Sequence, residues 1–211
     1  MTIPTNLDHI VVATPDLAGT VAAIAAATGV TPEAGGVHPR FGTRNHLMTF
    51  GEGAYLEIIG LDPAVGTAEQ VVFGLDRVTA PVARTFAVHP ADPDAALAAA
   101  AAAGADLGPL GDGSRRAPDG TLLTWRLTRP LAADDSGVIP FVIDWGATPS
   151  PAGTIGARVD LVVFELTHPD PGALRPRLAA LGTDVRVVRD DVPGLTLAIA
   201  GPGGTWTPAP L

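Results

Sequence analysis

Near its N-terminus the chain reads Leu7-Asp8-His9-Ile10-Val11-Val12-Ala13-Thr14-Pro15-Asp16-Leu17, a β-branched run followed by a Thr-Pro-Asp helix start. The Ala-rich segment 18–28 then predicts a helix. The same order of strand, Pro/Asp start and Ala/Leu helix returns at 85–103 and at 161–181. The three copies lie about 75–80 residues apart, so the sequence predicts a fold built from three related units.

Composition and charge narrow the class of protein. Of the 211 residues, 46% are hydrophobic and 17% are charged, which predicts a folded core rather than a disordered chain. The net charge of −9 argues against nucleic-acid binding, which needs a basic face. The chain has no cysteine, which excludes disulfides and thiolate metal sites. We find no pattern of a signal peptide or a membrane span, and we therefore expect a cytoplasmic protein without membrane partners.

The first unit, residues 5–75, reads as strand, helix and two further strands. A strand at 42–50 and a returning strand at 54–59 flank Gly51-Glu52-Gly53, an arrangement typical of a β-hairpin. A short extra strand is expected near Val37 or Phe41, which would complete a βαβββ module.

The second and third units follow the same plan with increasing deviation. Residues 76–149 contain a predicted strand at 84–88, a helix at 94–103 and strands at 120–127 and 138–145. A Pro/Gly/Ser-rich linker at 147–153 marks a boundary. Residues 156–207 hold a strand, a helix and two further strands. The predicted fold is therefore α+β, with tandem βαβββ modules, a third, truncated βαββ module, and a cavity between curved sheets.

Three motifs of the first unit carry a family resemblance. They are the stretch at 7–17, Gly-Thr-Arg-Asn at 42–45 and Gly-Glu-Gly-Ala-Tyr-Leu-Glu-Ile-Ile-Gly at 51–60. In order and spacing they resemble glyoxalase-like domains of the vicinal oxygen chelate (glyoxalase/bleomycin resistance/dioxygenase) superfamily. The resemblance implies paired βαβββ modules around a cavity. Members of the superfamily include lyases, isomerases, dioxygenases, epimerases and metal-free drug-binding proteins.

The resemblance also implies a divalent metal, held by a first-strand His and a last-strand Glu of one module and their counterparts in the next. His9 and Glu57 occupy those places here, and such ligands suit Mn, Fe, Ni, Zn or Co. The alternatives are a hydrogen-bonded strand histidine at His9 and a solvent-facing Glu57. His46 would face Glu57 if the hairpin turn has two residues, and would then be a third ligand or a catalytic partner. A three-residue turn would place it on the other face.

The second unit departs from this metal pattern. Counting from the strand ends places Arg84 where the first unit has His9, and Ile143 where it has Glu57, with Asp144 one step away. One interpretation is therefore that the site at His9 and Glu57 holds no metal. Arg84 would then bind an anionic ligand or pair with Glu57.

Polar and aromatic residues on the predicted cavity strands suit a carboxylated or aromatic small molecule. The alternative for the arginines is an outer face covered by their aliphatic stems. His89 and His168 stand at strand-to-helix turns, where they are expected to cap a helix or hold the turn. The predicted substrate-binding residues are Arg44, Asn45, Arg84, Trp125, Arg126 and Trp145.

Two functional hypotheses follow. In the first, a metal at His9 and Glu57 acts as Lewis acid in a lyase, isomerase or dioxygenase, on a small molecule with adjacent oxygens, and Glu57 and His46 move the proton. In the second, a metal-free protein of the same fold sequesters a small ligand, as resistance proteins do. The third unit is expected to cover a sheet or to support oligomerisation, for example in a homodimer.

Overall fold

The computed structural model describes residues 2–51, 53–64, 72–117 and 119–210. None of the helices in these ranges is long and apolar enough to cross a membrane. The elements are β1 (Leu7–Ala13), α1 (Leu17–Thr28), β2 (Glu33–His38), β3 (Thr43–Gly51), β4 (Ala54–Leu61), β5 (Val82–Val88), α2 (Pro93–Ala102), β6 (Gly111–Arg116), β7 (Leu122–Leu127), β8 (Phe141–Asp144), β9 (Asp160–His168), α3 (Pro171–Ala180), β10 (Arg186–Arg189), β11 (Gly194–Gly201) and β12 (Gly204–Trp206).

The strands of the first two units close into one barrel in the order β1-β4-β3-β2-β6-β7-β8-β5. In each unit the first strand runs parallel to the last, as β1 does to β4 and β5 to β8. The units join through antiparallel pairs, β1 with β5 and β2 with β6. Closure removes free sheet edges and encloses an interior. The predicted α+β fold with tandem βαβββ modules is confirmed, and β2 is the short strand expected near Val37.

An aspartate begins each helix, which explains the repeated motif in the sequence. The side chain of Asp16 accepts a hydrogen bond from the third backbone N–H beyond it at 2.9 Å, and Asp92 and Asp170 do the same at 3.0 and 3.1 Å. Such N-caps satisfy backbone donors that the first helical turn leaves free. Pro93 and Pro171 occupy the first helical position, where proline loses no hydrogen bond.

The third unit forms a separate four-stranded sheet in the order β10-β9-β11-β12. Here the first strand, β9, is parallel to β10, the strand directly after the helix. The unit also has one strand more than the predicted βαββ pattern, because β11 turns back into the short β12. It packs on the outside of the barrel, where the rings of Phe86 and Phe164 meet edge to face with centroids 5.2 Å apart.

Strand alternation separates two apolar groups in the barrel. Ile10 and Val12 face outward into the main core, beneath the helices and the third unit. Val11 faces inward, together with residues such as Ile59 and Phe141. His9 therefore shares the inner face with Val11, and the side chains that matter for chemistry lie inside the barrel.

Candidate functional site

A cavity of about 90 Å³, measured as the space open to the centres of water-sized spheres, lies inside the barrel and is partly open to solvent. The wall from the first unit is mainly polar, and the wall from the second unit is mainly apolar and aromatic. The polar wall includes His9, His38, Thr43, Asn45, Tyr55 and Glu57, and the apolar wall includes Trp125, Leu127, Phe141, Ile143 and Trp145. These two walls offer both polar groups and aromatic faces to a ligand.

A β-bulge at the start of β1 lets two neighbouring residues act together. Leu7 pairs with Val88 of β5 and His9 pairs with Ala87, so the register shifts by one residue at Asp8. Neighbours in a regular strand face opposite sides, whereas a bulge re-aims the extra residue. The buried carboxylate of Asp8 can therefore reach the ring of His9.

Three donors surround the carboxylate of Asp8. Its Oδ1 lies 2.6 Å from Nδ1 of His9, and its Oδ2 accepts a hydrogen bond from Nε1 of Trp145 at 2.9 Å. Nδ1 of His89 lies 3.2 Å from the same Oδ2, so this histidine contacts the site as well as standing at its turn. Burial raises the pKa of Asp8, but the hydrogen bonds from His89, His9 and Trp145 outweigh it and hold the pKa well below its usual range. Asp8 is thus an anion that orients His9.

The imidazole of His9 faces Glu57 across the polar wall. Its Nε2 lies 3.7 Å from Oε2 of Glu57, while Nδ2 of Asn45 donates to Oε1 of Glu57 at 2.5 Å. The ring of His9 stacks on Tyr55 with centroids 4.7 Å apart and meets the edge of Phe141 at 5.4 Å. Glu57 is only 7% exposed, so the solvent-facing alternative is wrong.

Arg115 brings a buried positive charge to the cavity wall, and the sequence did not single it out. It is 5% exposed, and its Nη1 donates to the backbone oxygen of Gly35. Nearby, Nδ1 of His38 lies 3.2 Å from the hydroxyl of Thr43. Burial lowers the pKa of His38, and the charge of Arg115 lowers it further against the opposing effect of Glu57. His38 is therefore neutral at pH 7.

The family follows from the sequence itself. Residues 7–182 match the family model described as a glyoxalase-like domain. The chain belongs to the glyoxalase-like domain family. The predicted resemblance to glyoxalase-like domains is confirmed.

Several solved structures align with this glyoxalase-like domain protein. A hypothetical protein from Staphylococcus aureus aligns with a TM-score of 0.65 and 15% identity over 97% of this chain and 98% of that one, so the likeness extends over the third unit. A methylmalonyl-CoA epimerase in complex with methylmalonyl-CoA and NH4+ aligns with a TM-score of 0.45 and 25% identity, over 71% of this chain and 100% of that one. A triple mutant of 4-hydroxymandelate synthase from Streptomyces coelicolor gives 0.49 and 16%, over 99% and 64%. No curated protein matches the chain.

Five predicted site residues of the glyoxalase-like domain line the cavity together, namely His9, Asn45, Glu57, Trp125 and Trp145. The rings of Trp125 and Trp145 lie 5.3 Å apart at an angle of 56°. Tyr55 also lines the cavity, although no pattern in the sequence singles it out. Burial raises the pKa of its hydroxyl, assisted by the charges of Asp8 and Glu57, so that it stays protonated.

His46 lies on the opposite face of its strand. It pairs with Ile58, and Leu47 stands opposite Glu57. The reason is an irregularity between Thr49 and Gly51, which shifts the register of the hairpin by one residue. Because side chains alternate along a strand, that shift turns His46 away from the cavity. Its predicted role as a third ligand or proton carrier beside Glu57 is wrong.

Arg84 fastens two loops instead of reaching the cavity or Glu57. Its Nε donates to the backbone oxygen of Phe73 at 3.2 Å, and its Nη1 and Nη2 donate to the backbone and the side chain of Asp135, each at 2.7 Å. The predicted pairing with Glu57 is wrong, because the guanidinium of Arg84 binds Asp135 instead.

Arg44 and Arg126 also lie outside the cavity. Arg44 shares the outer face of β3 with His46 and is exposed. Arg126 pairs with Asp144 at 2.5 Å, and its side chain is 47% exposed. Both fit the alternative of an outer face covered by arginines, and the structure does not bring these two predicted residues to the cavity.

The donors around the cavity do not fit a resident metal ion. His9 and Glu57, the predicted ligands, supply two donors and His38 lines the same wall, whereas the inward residues of β8, Phe141 and Ile143, supply none. Across the residues that the structure describes, no three His, Cys, Asp or Glu side chains are arranged to hold a metal. Protein sites for first-row metals generally use three or more such ligands. The predicted site is therefore incomplete on the side of the second unit.

Proposed function

We propose that this protein binds a small carbonyl compound in its barrel and moves a proton at the carbon beside the carbonyl, without a metal ion. The observation that carries the proposal is the pair formed by Nε2 of His9 and Oε2 of Glu57, 3.7 Å apart in a buried cavity. Two ionisable groups that face one enclosed space can act as general base and general acid.

The surroundings of the pair support distinct roles for its members. Asn45 donates a hydrogen bond to Oε1 of Glu57, so Oε2 is the oxygen that would take a proton from the substrate carbon. Asp8 binds Nδ1 of His9, so when the ring is an imidazolium its Nε2–H would donate a proton to the enolate oxygen and leave His9 neutral. Reversal of the two transfers at another carbon or face would give an isomerisation. The apolar side chains of the second unit lower the polarity around the pair, which strengthens both electrostatic contacts.

The experiment is proton exchange in D₂O, followed by NMR on 2-oxo acids and on thiol adducts of 2-oxo-aldehydes. We expect catalysed deuterium incorporation beside the carbonyl, lost by a factor of about 100 or more in Glu57→Gln and in His9→Gln. His46→Gln is the matched control, because it changes a histidine on the outer face of the same sheet. Loss of exchange on treatment with a chelator, or full exchange in both variants, would refute the proposal.

A second candidate is sequestration of a ligand without chemistry. The wide aromatic wall favours it, since Trp125 and Trp145 offer stacking surface that proton transfer does not require. In that case a ligand would bind at the cavity, quench tryptophan fluorescence and be recovered without deuterium.

A further inference from the structure

We propose that Arg115 binds the anionic group of an aromatic carboxylate in the cavity, with Trp125 holding the ring. The inference rests on the proposed binding of a small molecule in the barrel, and it specifies the class of ligand. It assigns the anion to a residue of β6, the strand that closes the barrel against β2.

Arg115 is a buried cation without an acidic partner. It is 5% exposed, and among the described residues its one hydrogen bond goes to the backbone oxygen of Gly35. No described carboxylate lies within ion-pair distance of it, in contrast to Arg84 with Asp135. A guanidinium has five N–H donors, and burial of its charge is costly unless an anion compensates it. The unused donors at the cavity wall therefore favour an anionic ligand.

The two carboxylates near the cavity already have other donors. The carboxylate of Asp8 contacts His9, Trp145 and His89. The carboxylate of Glu57 accepts a hydrogen bond from Asn45 and faces His9. Neither is left to neutralise Arg115 by direct contact. Since His38 beside it is neutral at pH 7, Arg115 is the positive charge that a ligand would meet on this part of the wall.

Glycines on the neighbouring strands make room for both proposed contacts. A Cβ at Gly36 would lie 2.8 Å from Nη1 of Arg115, and a Cβ at Gly113 would collide with the indole of Trp125. Gly113 and Arg115 are two residues apart on β6 and face the same side. The spacing along the strand, roughly 7 Å, matches the length of a one-ring aromatic acid.

The chemistry of the two side chains determines the ligand class. A guanidinium recognises a planar carboxylate with two parallel hydrogen bonds. An indole offers a face for an aromatic ring, and the ring of Trp145 lies 5.3 Å from it. The structural alternative is that Arg115 only fastens the β2–β6 seam, where Val37 and Arg116 form the one pair assigned among the described residues. A test must therefore compare ligands and not only variants.

The experiment titrates the full chain with phenylacetate and with its neutral counterpart phenylacetamide, followed by tryptophan fluorescence and calorimetry. We expect phenylacetate to bind at least 10-fold more tightly, and Arg115→Gln to reduce this ratio to about 1. Arg116→Gln, the exposed neighbour on the same strand, should leave the ratio unchanged. A purely structural arginine would weaken both probes equally and would overturn the inference.

Further outcomes keep the inference and the proposed function apart. Equal binding of the two probes to the unmodified chain would overturn the inference and leave the binding function standing. Binding of neither probe would overturn the inference, while the deuterium-exchange assay decides the function separately. If Arg115→Gln does not fold, Arg115→Lys serves instead. It keeps the charge without the planar fork, so phenylacetate should weaken about 10-fold and phenylacetamide should not change.

Discussion

The first unit contributes His9, Asn45 and Glu57 to the cavity, whereas the matching strands of the second unit contribute Phe141, Ile143 and Trp125. The two units share strand order and direction, so the difference lies in side chains alone. A metal site shared between the units needs donors from both, but an acid–base pair or a ligand pocket does not. Two units with the same strand plan therefore carry different side chains, and the carboxylate and imidazole groups that line this cavity come from the first unit.

The largest effect on stability is expected from removing part of the aromatic wall. Phe141→Ala deletes a buried ring that contacts His9, and we expect it to lower the free energy of unfolding by about 3–5 kcal/mol. Urea unfolding measures the change. Leu122→Ala, an exposed residue on the adjacent strand, should cost far less. Equal losses in the two variants would mean that the wall is not a packed structural element.

A second substitution adds a metal-binding carboxylate to the apolar wall. Ile143→Glu places a carboxylate on the apolar wall of the cavity that His9 and Glu57 also line, at a cost of roughly 3 kcal/mol in stability. We expect this variant to bind Co²⁺ with a visible absorption band, whereas the unmodified chain should show none. Thr124→Glu, exposed on β7, is the matched control. A band in the unmodified chain would contradict the conclusion that its donor set is incomplete.

A smaller effect on stability is expected from replacing Asp8, which lies behind the polar wall. The pKa of Asp8 is lower in the folded chain than in the unfolded chain, so its charge stabilises the fold above about pH 4 and this stabilisation is lost as the pH falls. Asp8→Asn should therefore cost about 1–3 kcal/mol at pH 7. Its difference from the unmodified chain should shrink in acid. Unfolding at pH 7, 5 and 3.5 measures this, with the exposed Asp112→Asn as control. A difference that is constant with pH would count against an ionised Asp8.

The smallest effect is expected outside both walls. Arg126→Gln breaks a surface pair with Asp144, and such pairs contribute about 0–1 kcal/mol. Unfolding and ligand titrations should therefore resemble those of the unmodified chain. A large loss of ligand affinity would mean that Arg126 contributes to ligand binding, contrary to its position outside the cavity.

The sequence predicted those parts of the molecule that depend on local chemistry. Aspartate caps and β-branched runs located the helices and most strands, and the motifs at 7–17 and 51–60 located His9 and Glu57. A one-residue register shift near the hairpin turn then reversed the face of His46, and no local signal marks such a shift. Arg84 was misplaced because its partner Asp135 lies far along the chain.

Arg115 was missed for a different reason. Its strand reads Gly-Asp-Gly-Ser-Arg-Arg, which has no β-branched or aromatic residue and no apolar alternation, so it does not predict a strand. In retrospect the glycines are the signal, because Gly113 leaves space for the indole of Trp125 and Gly36 leaves space for Arg115. That signal can be interpreted only when it is known which strands are neighbours.

The closure of the barrel has a consequence for how the chain folds. β1 pairs with β5 and β2 pairs with β6, so both joints link residues that lie 69–81 positions apart in the sequence. Loop closure must precede any gain from these pairs, and each unit alone exposes sheet edges until the other has formed. During synthesis the cavity can exist only after β8 has left the ribosome. We therefore expect slow folding limited by the meeting of the two units, with single-unit fragments that aggregate.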